Sequence, residues 1–134
     1  MSKNPCIGID LGTTNSVIAY FNPQTDSVEI IPNSHGDRLT PSCVLFNQDE
    51  LLVGQFALEA VDNENENKLI SHVKRFIGQK QYQCMDILQN LEYPVDIDHN
   101  GYPLIPVASQ NKKYKPEEIS AQVLYYLNYL HLMK

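Results

Sequence analysis

The sequence predicts a mixed α/β domain, and three observations carry that prediction. Apolar residues alternate at Ile7, Ile9 and Leu11, break at Gly12, and resume as Val17-Ile18-Ala19-Tyr20-Phe21. That pattern reads as strand, tight loop, strand. Two later apolar runs flank an Asn100-Gly101 pair, a strong hairpin signal. A long amphipathic pattern then opens at Pro116 and continues to Met133, with the spacing of a helix.

The bulk properties narrow the class. At 134 residues the chain has the length of one ordinary domain and can bury a core. An apolar content of 43% with 19% charged residues places it among folded globular proteins. A net charge of −6 argues against nucleic acid or an anionic membrane surface as a partner. The apolar runs are too short for a spanning helix. Met1-Ser2-Lys3-Asn4-Pro5 leads into the first strand with no secretory apolar region before it. The three cysteines, Cys6, Cys43 and Cys84, are isolated and lack metal-ligand spacing. A reducing compartment and a cytoplasmic location are expected.

Taken in order, the chain continues from Phe21 through a turn at Asn22-Pro23-Gln24-Thr25-Asp26 into a third strand marked by Val28, Ile30 and Ile31. The first three strands form an antiparallel meander with the Gly12 loop at one end. Residues 32–41 are too polar and too broken to form an element. Ser42-Cys43-Val44-Leu45-Phe46 is a strand, with Leu51-Leu52-Val53 its partner across a turn. Residues 55–61 read as a short helix. Residues 68–77 also predict a helix, because Leu69, Ile70, Val73, Phe76 and Ile77 share one arc at about 100° per residue. Lys74 lies just outside that arc, where packing would shield and aim it. Arg75 falls on the far side, solvated or paired at a surface. A second short helix is expected over 83–91. The hairpin strands at 93–97 and 102–107 contain prolines and are expected at sheet edges. In the final helix, Ile119, Val123, Tyr126, Leu127 and Leu130 form one stripe, while Ala121, Tyr125, Tyr129 and Leu132 form another. A helix apolar on two sides packs against two things, and exposed apolar surface of this kind predicts self-association or a need for stabilisation.

The chemistry concentrates at the first turn. In Asp10-Leu11-Gly12-Thr13-Thr14-Asn15, the glycine lets the backbone approach an anion, and Thr13, Thr14 and Asn15 add donors. Asp10, at the strand's end, can hold a hard divalent cation directly or through its waters. An ordinary hairpin turn with self-satisfied polar groups fits the same residues. Gly-x-x-x-x-Gly-Lys-Ser/Thr and Gly-x-Gly-x-x-Gly are both absent. His35, His72, His99 and His131 are scattered, and each reads as a solvated side chain.

Longer matches, in order, decide between these readings. Ile7-Gly8-Ile9-Asp10-Leu11-Gly12-Thr13-Thr14-Asn15-Ser16 resembles the first phosphate loop of the heat-shock protein 70 family of chaperones. Gly36-Asp37-Arg38-Leu39-Thr40-Pro41-Ser42 resembles that family's Gly-Asp/Asn-Arg-Thr-Thr-Pro-Ser stretch. Val53-Gly54-Gln55 with Ala57 is similar to its Val-Gly-x-x-Ala segment. Val73-Lys74-Arg75-Phe76-Ile77-Gly78 is similar to its Lys-Arg-Leu/Phe-Ile-Gly helix end. Pro116-Glu117-Glu118-Ile119-Ser120-Ala121 with Val123-Leu124 resembles its Pro-Glu-Glu-Ile-Ser-Ala-x-Val-Leu helix. The resemblance covers nearly the whole chain.

It implies an actin-like, ribonuclease H-like ATPase fold, of which this chain is a first-lobe fragment binding ATP or ADP with Mg²⁺. Residues 5–40 would supply core strands and the phosphate loop, 41–115 a peripheral subdomain, and 116–134 a helix returning to the core. By resemblance, Asp10 positions hydrated Mg²⁺, and Gly12, Thr13, Thr14 and Asn15 hold the β- and γ-phosphates. Lys74 acts with Asp10 in hydrolysis, orienting water and offsetting charge on the γ-phosphoryl group. In the intact family protein the partners are unfolded polypeptide clients, a J-domain protein and a nucleotide exchange factor, and the setting is protein folding and the stress response.

Two departures stand out. Leu39 occupies the place of a family threonine that senses the γ-phosphate, which puts coupling of ATP to conformational change in question. The second phosphate loop, the second lobe and the peptide-binding domain have no match, so the expectation is one wall of a cleft, in a truncated product or a chain completed by a partner. A non-catalytic chaperone-derived fragment acting by protein contact is the alternative. A sugar or glycerol kinase fragment of the same fold lacks the Lys-Arg-Phe-Ile-Gly segment in this context.

Overall fold

The computed structural model describes residues 6–134; the stretch 1–5 lies outside the described residues. Strand β1 (Ile7–Leu11) pairs antiparallel with β2 (Asn15–Asn22), and β3 (Ser27–Ile30) pairs with the far end of β2. This is the expected meander. It has one addition: Thr40–Pro41 form β4, which pairs with the start of β2 on the flank that β1 leaves open. Part of the 32–41 stretch is therefore an element after all. Its two residues are too few to signal a strand by alternation.

Strand β5 (Cys43–Asn47) lies between β6 (Glu50–Val53) and β7 (Leu69–Ser71). The continuous apolar run Cys43-Val44-Leu45-Phe46 reflects burial of both faces. Val44 and Phe46 face the main core, while Cys43 and Leu45 pack with Ala57 of helix α1 (Gln55–Glu59).

The predicted 68–77 helix does not form. Leu69 and Ile70 join β7 opposite Leu45 and Val44, and only Val73–Arg75 make a single 3-10 turn. Pairing with a buried strand outweighs a helical spacing that five apolar residues satisfy by coincidence. His72 breaks the chain between the two, in the left-handed region at φ 59°. The arc that set Lys74 apart from Arg75 therefore has no helix beneath it.

After a 3-10 turn at Gln81–Gln83, helix α2 (Met85–Gln89) is shorter than predicted. Strand β8 (Asp96–Ile97) then pairs with β9 (Pro103–Val107) through the predicted hairpin, in which the Asp98 carboxylate accepts from the amides of Asn100 and Tyr102. The edge assignment holds for β8 but is overturned for β9, which carries Pro103 and Pro106. An unpredicted strand β10 (Lys112–Tyr114) pairs on the other flank, which makes β9 the central strand. The two partners engage different halves of β9: β8 meets Pro103 and Leu104, and β10 meets Ile105, Pro106 and Val107. Neither flank carries a continuous ladder, so a missing N–H is tolerated.

Helix α3 (Pro116–Leu132) begins with proline, and the Glu118 carboxylate accepts from the Lys115 amide at 3.0 Å. Its buried stripe of Ile119, Val123, Leu127 and Leu130 closes a core with Ile18, Val44, Phe46, Phe76, Ile105 and Val107. Each such side chain contributes about 1.5–3 kcal/mol on burial. The second stripe faces outward, with Tyr125 72% and Leu132 70% exposed. Two histidines are less solvated than the sequence suggested. His35 packs on Phe56 at 4.6 Å and meets Glu59 at 3.3 Å, and the Nδ1 atoms of His35 and His131 are buried with no hydrogen-bond partner among the described residues.

Candidate phosphate-binding site

The Leu11–Ser16 register leaves a very short connection between β1 and β2. Gly12 is required there: a Cβ at this position would stand 2.1 Å from the Asn15 carbonyl oxygen. The Thr14 carbonyl turns back and accepts from the Ser42 amide at 2.8 Å. A trans peptide directs the next N–H oppositely, so the Asn15 amide faces away from Ser42. Asp10, Thr14 and Asn15 are exposed and Thr13 is half-buried. The loop thus presents an open wall.

Lys74 reaches this wall from a distant segment. Val73, which opens the 3-10 turn, and Phe76, just after it, are buried in the core and fix its backbone. Its Nζ donates to the Leu11 carbonyl at 2.7 Å, one residue before Gly12. The structure therefore brings together Asp10, the 12–15 loop and Lys74. Among the described residues, the ion pairs are His35–Glu59, Lys112–Glu118 and Lys113–Asp96, and none involves Asp10 or Lys74. Arg75 is not part of this wall. It lines a separate polar cleft with Ser71, His72, Asp86 and Glu92.

Behind the loop lies a polar cluster that the motif reading missed. Ser16, Asn33 and Thr40 are buried, and Ser16 Oγ lies 2.7 Å from Ser42 Oγ. Asn33 Nδ2 donates to the Leu39 carbonyl and to Thr40 Oγ1. The available signal was the Asn33-Ser34-His35-Gly36 sequence, a typical side-chain-to-backbone turn. Leu39 itself is 53% exposed; its backbone is held and its side chain meets solvent.

The donor set bears on a metal. Among the described residues no three His, Cys, Asp or Glu side chains converge as ligands. A lone exposed carboxylate such as Asp10 suits Mg²⁺, which keeps most of its waters and is completed by phosphate oxygens.

A glycine loop, a carboxylate and a lysine lie close together on this α/β scaffold, and sequence comparison gives the family. The profile described as Hsp70 protein matches residues 6–130. A chaperone protein dnaK from Trieres chinensis is 48% identical over 119 residues, covering 88% of this chain and 19% of that protein. Its counterpart in Thalassiosira pseudonana is 46% identical over 122 residues, with 90% and 20% covered. That of Cyanidioschyzon merolae is 47% identical over 120 residues, with 88% and 19% covered. The chain belongs to the Hsp70 family, and its mixed α/β architecture of antiparallel sheets is that of a fragment of the family's actin-like ATPase domain. It spans about a fifth of the length of the curated relatives it matches. Among the described residues no helix is long and apolar enough to cross a membrane.

Proposed function

We propose that this chain carries the phosphate- and metal-facing wall of an ATP-hydrolysing chaperone domain. The observation that carries this reading is the Lys74 ammonium at the Leu11 carbonyl, beside a glycine-dependent turn of hydroxyl and amide donors. The amides and side chains of Thr13, Thr14 and Asn15 bind and orient the β- and γ-phosphates. Asp10 holds the water shell of Mg²⁺, which supplies charge neutralisation when bound. Lys74 orients the attacking water and offsets charge on the transferring phosphoryl group. Such catalysis is positioning and electrostatics rather than covalent chemistry. The longer protein would assist folding of unfolded polypeptides with a J-domain protein and an exchange factor, in the cytoplasm and under stress.

A second reading is favoured by Leu39. An exposed leucine immediately precedes strand β4 where the family pattern has threonine, which suits a fragment that acts by protein contact without coupling to ATP. One experiment separates the two. Residues 6–130 are grafted in place of the corresponding segment of a dnaK relative, and single-turnover hydrolysis is measured with Lys74 and with Lys74→Met. The ATPase reading expects turnover with Lys74 and a loss of two orders of magnitude or more without it. Absent turnover in both favours the contact reading.

A further inference from the structure

We propose that Asn33 is a positioning residue for the 12–15 loop, acting through Thr40 and Ser42; this rests on the reading that the loop takes phosphate. Asn33 is 6% exposed, and its side-chain amide uses every hydrogen-bonding position it has. Its Oδ1 accepts from the amides of His35 at 2.9 Å and Asp37 at 3.0 Å. Those two N–H donors identify the oxygen end, which turns Nδ2 toward the Leu39 carbonyl at 3.1 Å and Thr40 Oγ1 at 3.3 Å.

The bonds continue to the loop. Thr40 stands opposite Ser16 and Pro41 opposite Asn15. The Ser42 amide then holds the Thr14 carbonyl at 2.8 Å, and the Ser42 hydroxyl meets Ser16 Oγ. Strand β4 has two residues, too few to hold its register by pairing alone. Asn33 clamps it from behind, in a buried setting where a fully satisfied polar network specifies one arrangement. Among the described residues the Asn33 side chain makes no hydrogen bond to residues 12–15, so its effect passes through Thr40 and Ser42. The Leu39 side chain takes no part, because only its carbonyl accepts.

The test uses the whole chain with no ligand first. Asn33→Asp keeps both acceptor bonds and loses both donors. The Ser42 amide is expected to exchange about tenfold faster or more, consistent with two lost hydrogen bonds. The Thr14 and Asn15 resonances should move while amides of β9 and β10 stay put. Affinity of the loop for magnesium pyrophosphate should then fall several-fold. Thr40→Val removes only the hydroxyl acceptor and should accelerate Ser42 exchange less. Added to Asn33→Asp, it should change little more, since both act along one path. If Asn33→Asp does not fold, Thr40→Val alone decides by the same readout. Unchanged Ser42 exchange in a folded variant, or fully additive effects of the two substitutions, overturns the proposal. Failure of pyrophosphate to shift residues 12–15 of the unaltered chain would instead refute the phosphate reading, and the exchange result would still stand.

Discussion

Lys74 Nζ and the Leu11 carbonyl oxygen are 2.7 Å apart although 63 positions separate the two residues in the chain. The contact joins a 3-10 turn anchored in the core to the last residue of the first strand. It sets a cation at the mouth of the glycine loop without enclosing it. Because the side chain is exposed, Lys74→Met should lower stability by no more than about 1 kcal/mol, the value of one solvent-accessible hydrogen bond. Thermal unfolding checks this. A much larger loss would mean that Lys74 is a structural strut and that its placement says little about chemistry.

Gly12→Ala should be costly for a different reason. A methyl group 2.1 Å from the Asn15 carbonyl cannot be accommodated unless the turn opens. We expect a loss of about 2–3 kcal/mol, in the range for backbone strain and displaced contacts, with amide shifts centred on residues 12–16. Chemical denaturation with amide NMR measures both. A near-neutral substitution would contradict the tight-turn geometry.

Much of this was legible in the sequence because local signals agreed with the fold. The strand–Gly12–strand pattern, the Asn100-Gly101 hairpin and the Pro116 helix all appear where alternation, turn chemistry and capping place them. The 68–77 segment misled because its apolar spacing also fits a strand followed by a turn. What decides is the partner strand Cys43–Asn47, which lies far from it in the chain. The turn at Asn33 was signalled, but the burial of its cluster was not, for a related reason. A polar, broken stretch signals a loop, and nothing local indicates that one asparagine in it will be buried with all its bonds made.

Leu39→Thr should leave stability within about 0.5 kcal/mol, since the side chain is half in solvent and outside the Asn33 lattice. In a full-length graft it should sharpen the ATP-induced conformational change, read by tryptic protection with and without ATP. An identical protection pattern for leucine and threonine would remove Leu39 as the reason for any weak coupling.

The thiols give a pH-dependent prediction. Burial pushes the Cys43 thiol up to about 11 from an ordinary value of 9.0. Its folded pKa is raised, so the stabilisation is fully present below pH 9 and is lost as pH rises from 9 through 11. Burial raises the Tyr93 phenol as well, which adds to the same alkaline loss. Stability by urea titration should therefore fall above pH 9. At pH 8, Cys6 should be alkylated readily while buried Cys43 and Cys84 react only on unfolding. Equal labelling of all three in the folded protein would contradict the core described here.

As proposed, residues 10–15 and Lys74 form one wall of a phosphate site that needs a second wall to bind tightly. Titration of the isolated chain with magnesium ATP, followed by amide NMR, tests it most directly. Affinity should be millimolar or weaker, with shifts centred on residues 12–15 and on Lys74. Micromolar binding by the chain alone, or shifts confined to another surface, would contradict it.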